Sequence, residues 1–352
     1  MRVLVTGSSG YIGSELVVAL KNRGIPVIGI DRRPPLEGAR PDTFVLADLL
    51  DEGPLESVLP NVSEVFHLAA AKDDWGLSER DYYRDNLDAT ARLISLGRAR
   101  GVKRWVFYST VGVLGSGLLA RGEGAPYNPE TPYASSKVDA EKLFNQYARE
   151  VPTAAIAVIR PSAVFSPANP TNNNLYRLIQ AIKQGRFVMV GDGEDLKTTS
   201  YLYNLLAATS FVHERLSAGF EIFHYVDEPV WNTRQLVAAV YALLGKRQPR
   251  WYLPGALARA AANVLDVAAT VLRTDIPVTG ARIRKFCTST NFSCEKLRTL
   301  GFAAPVSLQE AVRATVLEHD KSGIDGRREY REAVPGGRVD LDQKASRTDR
   351  AA

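Results

Sequence analysis

The stretch Val3-Leu4-Val5-Thr6-Gly7-Ser8-Ser9-Gly10-Tyr11-Ile12-Gly13 decides the fold. An apolar run long enough only for a buried strand leads into three glycines spaced G-x-x-G-x-x-G, and a helix is expected from Gly13 to Arg23. Glycine side chains are absent, so the turn can be tight and its backbone can approach a pyrophosphate. The N–H groups and dipole of the following helix favour the same anion. Val27-Ile28-Gly29-Ile30 reads as a second strand ending at Asp31. A carboxylate there accepts both hydroxyls of an adenosine ribose and repels a 2′-phosphate, so NAD is the expected cofactor. Arg32 and Arg33 come next and are read as a solvated turn, although a guanidinium at either place is able to bind such a phosphate. Asp48 ends the strand Phe44-Val45-Leu46, where it either receives an adenine amino group or starts the next turn.

The alternation continues outward. Val65-Phe66-His67-Leu68-Ala69, Trp105-Val106-Phe107-Tyr108 and Ala155 to Ile159 read as strands. Helices are expected from about Asn86 to Arg100, stopped by Gly101, and from Tyr133 to Glu150. Strands apolar on both faces between helices give an α/β fold, a doubly wound parallel sheet of the Rossmann type. Residues 1–165 form the expected NAD-binding domain, with its sheet completed by parts of 196–230. After Pro161 the pattern breaks into loops and short elements, including a helix near Leu175 to Gln184, and 166–320 reads as a smaller mixed α/β substrate-binding lid interleaved with the sheet. Residues 321–352 are polar and expected to be disordered.

A second motif carries chemistry. Tyr133 and Lys137 stand four residues apart in Pro132-Tyr133-Ala134-Ser135-Ser136-Lys137, on one face of the expected helix. A phenol, with an ordinary pKa of about 10, is a poor base at neutral pH. A neighbouring ammonium stabilises the phenolate and makes it a usable one. Thr110 directly follows a strand, so its hydroxyl is expected at the carboxyl edge of the sheet, where ligands bind, with Ser109 as the rival.

Bulk properties exclude other classes. Lys and Arg number 44 against 39 Asp and Glu, a net charge of +5 spread among acids, which is a mixed surface and not a nucleic-acid face. Two cysteines, Cys287 and Cys294, with no CxxC, give no disulfide framework or metal site and fit a reducing cytoplasm. The first strand begins at once, so no signal peptide is expected. The alanine-rich stretch Ala256 to Leu272 is interrupted by Arg259, Asn263 and Asp266; it reads as an amphipathic or core helix with at most peripheral membrane contact, and no integral membrane segment is expected.

Together these motifs resemble the extended short-chain dehydrogenase/reductase superfamily, in its NAD-dependent epimerase/dehydratase branch, over about residues 1–320. The resemblance implies a Thr110, Tyr133, Lys137 catalytic set. It implies that Gly7, Gly10, Tyr11, Ile12 and Gly13 hold the pyrophosphate, that Asp31 and Arg32 lie at the adenosine ribose, and that Asp48 and Leu49 lie at the adenine. His67-Leu68-Ala69-Ala70 matches the strand beneath the cofactor, with Lys72 reaching it. Asn86 matches a helix asparagine that supports the active-site backbone. Ser109 and Arg160-Pro161-Ser162 match segments beside the nicotinamide, and Asn173, Asn174 and Lys197 match positions that grip a nucleotide diphosphate in epimerases.

Four departures shape the expected reaction. Leu114 replaces a usual tyrosine, Ala163 an asparagine and Ser166 a glycine. Val111 and Gly112 stand where sugar dehydratases of the family carry Asp-Glu and decarboxylases keep the Glu, so elimination lacks its proton carrier. The expected activity is therefore a nucleotide-sugar 4-epimerase with bound NAD, acting on a nucleotide-diphosphate sugar. Members with this look serve polysaccharide or cell-envelope sugar biosynthesis. The alternative is an NAD(P)-dependent dehydrogenase or reductase of a keto-sugar or a 3β-hydroxysteroid-like alcohol. For that branch the likeness lies in Arg160 to Phe165, in residues 256–272, and in Asn291 to Lys296 followed by Leu300-Gly301-Phe302. A homodimer through the helices near 86–100 and 133–150 is a further expectation of the resemblance.

Overall fold

The apolar runs become a sheet because each is bounded by a turn or a helix start, and the central ones are buried on both faces. The structure, a computed structural model, describes residues 2–72, 76–168, 173–249, 252–254 and 288–321. Its strands in chain order begin with β1 (Val3–Thr6), β2 (Val27–Asp31), β3 (Thr43–Leu46), β4 (Glu64–His67), β5 (Arg104–Tyr108), β6 (Gly117–Arg121) and β7 (Ala155–Pro161). They continue as β8 (Ala163–Phe165), β9 (Leu196–Lys197), β10 (Thr199–Tyr201), β11 (Gly219–Tyr225), β12 (Trp231–Asn232) and β13 (Thr290–Phe292).

The main sheet has seven parallel strands in the order β11-β7-β5-β4-β1-β2-β3. Thr6, the last residue of β1, aligns with Ile30 on one side and His67 on the other. The chain therefore departs in opposite directions from β1, and a crevice opens at the carboxyl ends of β1 and β4, the switch point at which doubly wound sheets bind ligands. β11 adds the seventh strand along the full length of β7, with Gly219 opposite Ala155 and Tyr225 opposite Pro161.

Alternate residues of each strand enter two cores. Val5, Phe66, Val106 and Ala157 pack with Leu16 and Leu205 on one face. Leu4, Val65, Trp105 and Ile156 pack with Leu93 and Phe144 on the other. Trp105 is fully buried, with its ring 5.7 Å from Phe144 and 5.9 Å from Tyr147, so the helix Pro132–Glu150 is fixed against β5 by aromatic contacts.

One expected helix differs. Asn86 to Arg100 reads as a single element, but the structure starts earlier, with an α-turn Glu79–Tyr83, a π-turn Arg84–Asp88 and then the helix Ala89–Ala99. The start is a reciprocal cap: the Asp81 N–H donates to Ser78 Oγ at 3.3 Å and the Ser78 N–H returns to Asp81 Oδ2 at 2.8 Å. Beyond Pro161 the chain builds the small sheet β10-β8 and adds β12, β9 and β13 to the earlier β6 in a second, of order β12-β9-β13-β6. The expectations for 256–272, for Cys287 and for the tail from 322 lie outside the described residues. Among the described residues, no helix is long and apolar enough to cross a membrane.

Candidate active site

The glycine turn closes on itself. Gly7 donates its N–H to Ile30 O at 2.9 Å, and the Gly10 N–H donates to Gly7 O at 2.9 Å. Gly7 has φ +68°, and a Cβ there would lie 2.7 Å from the Ala69 nitrogen. A Cβ on Gly13 would lie 2.1 Å from Gly7 O. Thr6 Oγ1 accepts the N–H groups of Leu68 and Ala69 at 3.2 Å each, which holds the backbone before Ala70 against the turn. Ile12 packs against the core at the start of the helix Tyr11–Asn22. Asp31 accepts the Ser9 N–H at 3.0 Å and the Arg33 N–H at 2.9 Å, and so ties the turn to the end of β2. Ser8 Oγ is buried with no hydrogen-bond partner among the described residues. A narrow cradle that side chains would fill, a buried hydroxyl without a partner and a carboxylate at the end of β2 fit a dinucleotide.

At the adenosine end Arg32 is exposed in the turn after β2, as expected, and it also has partners. Its guanidinium reaches Asp85 at 2.8 Å and Asp48 at 3.6 Å. Arg84 reaches the same Asp48 oxygen at 3.0 Å, and the other Asp48 oxygen accepts the Leu50 N–H at 3.0 Å. Asp48 thus starts the next turn, as one of its two readings held, and Leu49 beside it is buried. Arg32 and Arg84 thus share the two carboxylates of Asp48 and Asp85.

The candidate catalytic pair, Tyr133 and Lys137, lies on the helix Pro132–Glu150. Thr131 caps it, its Oγ1 accepting the Ala134 N–H at 3.1 Å, with Pro132 at the first helical position. Tyr133 is half-buried, its ring 6.2 Å from that of Tyr82. Lys137 is fully buried, with Nζ 4.2 Å from the Phe107 ring centroid. Burial lowers its ammonium from 10.5 to about 7, and Glu141 one turn later opposes that fall. Thr110 Oγ1 accepts the Gly112 N–H at 3.1 Å. Its rival Ser109 is buried and gives its O–H to Glu141, which removes it from the crevice.

Asn86 sits inside, as its motif implies. It accepts the Ala71 N–H at 2.7 Å and donates to Ala71 O at 3.0 Å and to Ser136 Oγ at 2.9 Å. Lys72 follows Ala71 and is exposed. His67 is bridged between Thr6 and Thr90 at 2.7 and 2.8 Å. Burial first, and the Lys137 charge second, push it down to about 3, so it stays neutral.

On the substrate side, the Tyr11 hydroxyl bonds Ser166 Oγ at 2.8 Å and also meets Asn173, and burial raises the phenol so that it stays protonated. The serine that replaces a family glycine therefore joins the glycine turn to the substrate region. Asn173 Oδ1 caps the helix Asn174–Lys183 by accepting the Tyr176 N–H at 2.7 Å, while its buried Nδ2 has no partner among the described residues. Asn174 is exposed at the first position of that helix. Pro161 ends β7, and Ser162 next to it donates its N–H to Ser200 Oγ at 2.9 Å and its hydroxyl to Thr198 O at 2.7 Å. Lys197 lies apart from these, on β9, with Nζ donating to Thr288 O at 2.6 Å.

Sequence reading missed a buried group behind the catalytic pair. Arg160 Nε donates to Glu141 Oε1 at 2.9 Å and Nη2 to Oε2 at 2.6 Å, both residues fully buried. The Tyr127 hydroxyl donates to Oε2 at 2.8 Å, and Arg160 Nη1 faces His224 Nε2 at 3.4 Å. The one legible signal was spacing, since Tyr133, Lys137 and Glu141 continue one helix face in steps of four.

Residues 3–225 match the NAD dependent epimerase/dehydratase family. The chain is 30% identical over 316 residues to an N-acetyl-alpha-D-glucosaminyl-diphospho-ditrans,octacis-undecaprenol 4-epimerase of Escherichia coli O157:H7, covering 89% of this chain and 94% of the relative. It is 30% identical over 275 residues to a 3 beta-hydroxysteroid dehydrogenase/Delta 5-->4-isomerase of Mycobacterium tuberculosis, covering 73% of each. Its structure aligns with MoeE5 in complex with UDP-glucuronic acid and NAD at a TM-score of 0.73 and 25% identity, covering 91% of this chain and 99% of that one. With the glycine cradle, the carboxylate at the end of β2 and the Tyr133/Lys137 pair, these likenesses make the chain an NAD-dependent enzyme, a member of the NAD-dependent epimerase/dehydratase family within the extended short-chain dehydrogenases/reductases.

Proposed function

We propose that the protein is a 4-epimerase of a sugar carried on a nucleoside diphosphate. One observation carries this over elimination or decarboxylation: the turn Val111–Leu114 that follows Thr110 holds no acid or base, which leaves Tyr133 and Lys137 as the proton-handling pair. The Tyr133 phenolate takes the proton of the C4 hydroxyl, stabilised by the Lys137 ammonium one turn along the helix. Thr110 holds the same oxygen through its O–H. Bound NAD supplies reversible hydride exchange with C4 and is not consumed. Asn173 and Asn174 hold the diphosphate, so the remote part of the substrate stays fixed while the 4-keto sugar turns over and presents its other face. A homodimer through the helices Ala89–Ala99 and Pro132–Glu150 accompanies this reading, and a monomer by light scattering contradicts it.

A second reading keeps the chemistry and changes the carrier. Leu118 and Leu119 on β6 are 70% and 83% exposed, an apolar pair a few residues beyond the catalytic turn. A sugar diphosphate on a polyprenol, the substrate type named for the E. coli relative, supplies an apolar chain for such a surface. The test is to incubate purified protein with UDP-, dTDP-, GDP- and CDP-sugars and with a polyprenyl-diphosphate sugar, following products by NMR and nicotinamide by absorbance together. A new sugar epimer without net NADH supports epimerisation, and the productive carrier selects between the readings. NADH formed stoichiometrically from a keto-sugar precursor or a steroid-like alcohol, without any epimer, moves the protein to the dehydrogenase alternative.

A further inference from the structure

The Glu141 carboxylate accepts four hydrogen bonds inside the protein: two from Arg160, one from Tyr127 and one from Ser109. Each donor comes from a different part of the site. Ser109 immediately precedes Thr110 at the end of β5, Arg160 lies on β7, and Tyr127 lies in the loop before the helix Pro132–Glu150. Glu141 itself is one turn beyond Lys137 and two beyond Tyr133. We propose that Glu141, clamped by Arg160, is a positioning residue that registers the Thr110 segment to the Tyr133/Lys137 helix and keeps the Lys137 ammonium charged. This rests on Tyr133 and Lys137 being the proton-handling pair, and not on the identity of the sugar.

The geometry requires such a group. Nothing on β5 bonds the buried Lys137 Nζ; what faces it there is the Phe107 ring, which attracts a cation through its quadrupole only. The other groups near it are Tyr133 and Glu141 on its own helix and His67 on β4, whose low affinity for protons leaves it neutral. Behind Glu141 stand Arg160 and, on β11, His224, which burial and then the Arg160 charge push down to about 4, so it is neutral as well. Glu141 is therefore the anion that opposes the desolvation of Lys137. Arg160 prevents Glu141 from rotating out of line, since its two parallel N–H donors fit one carboxylate plane. Losing the carboxylate leaves Lys137 facing no anion and leaves Arg160 unpaired behind it, and both changes expel the lysine proton.

The test needs no substrate. In NAD-bound protein with 13C-labelled lysine, the Lys137 side-chain resonance, assigned by its loss in Lys137→Arg, is titrated in wild type and in Glu141→Gln. The midpoint is expected to fall by about one pH unit or more in Glu141→Gln. On whichever substrate the wild type turns over, kcat is expected to fall about 10- to 100-fold with KM within about threefold, as displacement of a positioned group predicts. If Glu141→Gln does not fold by circular dichroism, Ser109→Ala removes one donor only and is expected to lower kcat about tenfold without changing KM or bound NAD. An unchanged Lys137 midpoint in folded Glu141→Gln, or an unchanged kcat in Ser109→Ala, overturns the proposal. Failure of the epimerase reading is separate, because the lysine titration is measured without sugar.

Discussion

Gly13→Ala tests whether the turn after β1 has any freedom. The new Cβ would stand 2.1 Å from Gly7 O, 2.9 Å from the Gly7 carbonyl carbon and 3.2 Å from Ser8 Cα. A carbon and a carbonyl oxygen normally approach no closer than about 3.3 Å, so the turn must open by about 1 Å. Gly7 O is also the acceptor of the Gly10 N–H at 2.9 Å, and Gly7 is itself backed by Ala69. Opening the turn loses that hydrogen bond, about 1 kcal/mol, and overpacks a buried segment, about 1–3 kcal/mol more. The sum, about 2–4 kcal/mol, corresponds to a fall in Tm of about 3–6 °C for a chain of this size. It also displaces the N–H groups meant for the pyrophosphate, which costs about 100-fold in bound NAD. Differential scanning calorimetry and the nicotinamide content of purified protein measure both. Gly124→Ala is the control, because a Cβ there meets nothing within 4 Å and its φ is not in the left-handed region, so a change below about 0.5 kcal/mol is expected. Gly13→Ala protein with wild-type Tm and full NAD content would refute the reasoning, since the backbone would then have room that the distances deny.

Tyr133→Phe keeps the ring packed near Tyr82 and removes the phenol; turnover is expected to fall at least about 1,000-fold while NAD content and Tm stay near wild type, as read by product NMR and calorimetry. Because burial lowers Lys137 from 10.5 to about 7, the unfolded chain holds a proton between those pH values that the folded chain lacks, and wild-type stability rises with pH across that window. Lys137→Met removes this slope: in urea titrations its gain over wild type should be largest below pH 7 and fade toward pH 10. Asp31→Ser removes the carboxylate that meets the Ser9 and Arg33 N–H groups and is expected to weaken NAD at least about tenfold and to narrow the preference over NADP, measured by calorimetric titration of both nucleotides.

The parts of this fold legible in the sequence are those fixed by neighbours in the chain. The glycine spacing, the apolar runs of β1 to β5 and the i, i+4 placement of Lys137 after Tyr133 need no knowledge of distant residues. Even the early start at Glu79 is written locally, in the Ser78-x-x-Asp81 cap. The rest depended on partners far away in sequence. Ser109 and Thr110 are adjacent hydroxyls at the end of one strand, and what separates them is Glu141, 32 residues on, which accepts the Ser109 O–H as a hydrogen bond. Arg32 is exposed as its turn suggests, but its partner Asp85, at 2.8 Å, reaches it from another element and is not legible locally. The contact between Arg160 and His224 spans 64 residues and has no periodic signature.

The π-turn at Arg84–Asp88 fixes the length of its segment more strictly than its composition. Such a turn holds one residue more than regular helix allows over the same rise. Deleting one residue there would let the helix run on regularly, and every side chain upstream would rotate by about 100° about the axis. Tyr82 would swing away from Tyr133, and the Ser78 start would face elsewhere. Asn86 would lose its place between Ala71 and Ser136 if the deletion fell on its other side. Many single substitutions between Arg84 and Asp88 leave this geometry intact, whereas a single-residue deletion anywhere in the segment disconnects the wall of the active site from the helix that carries its base.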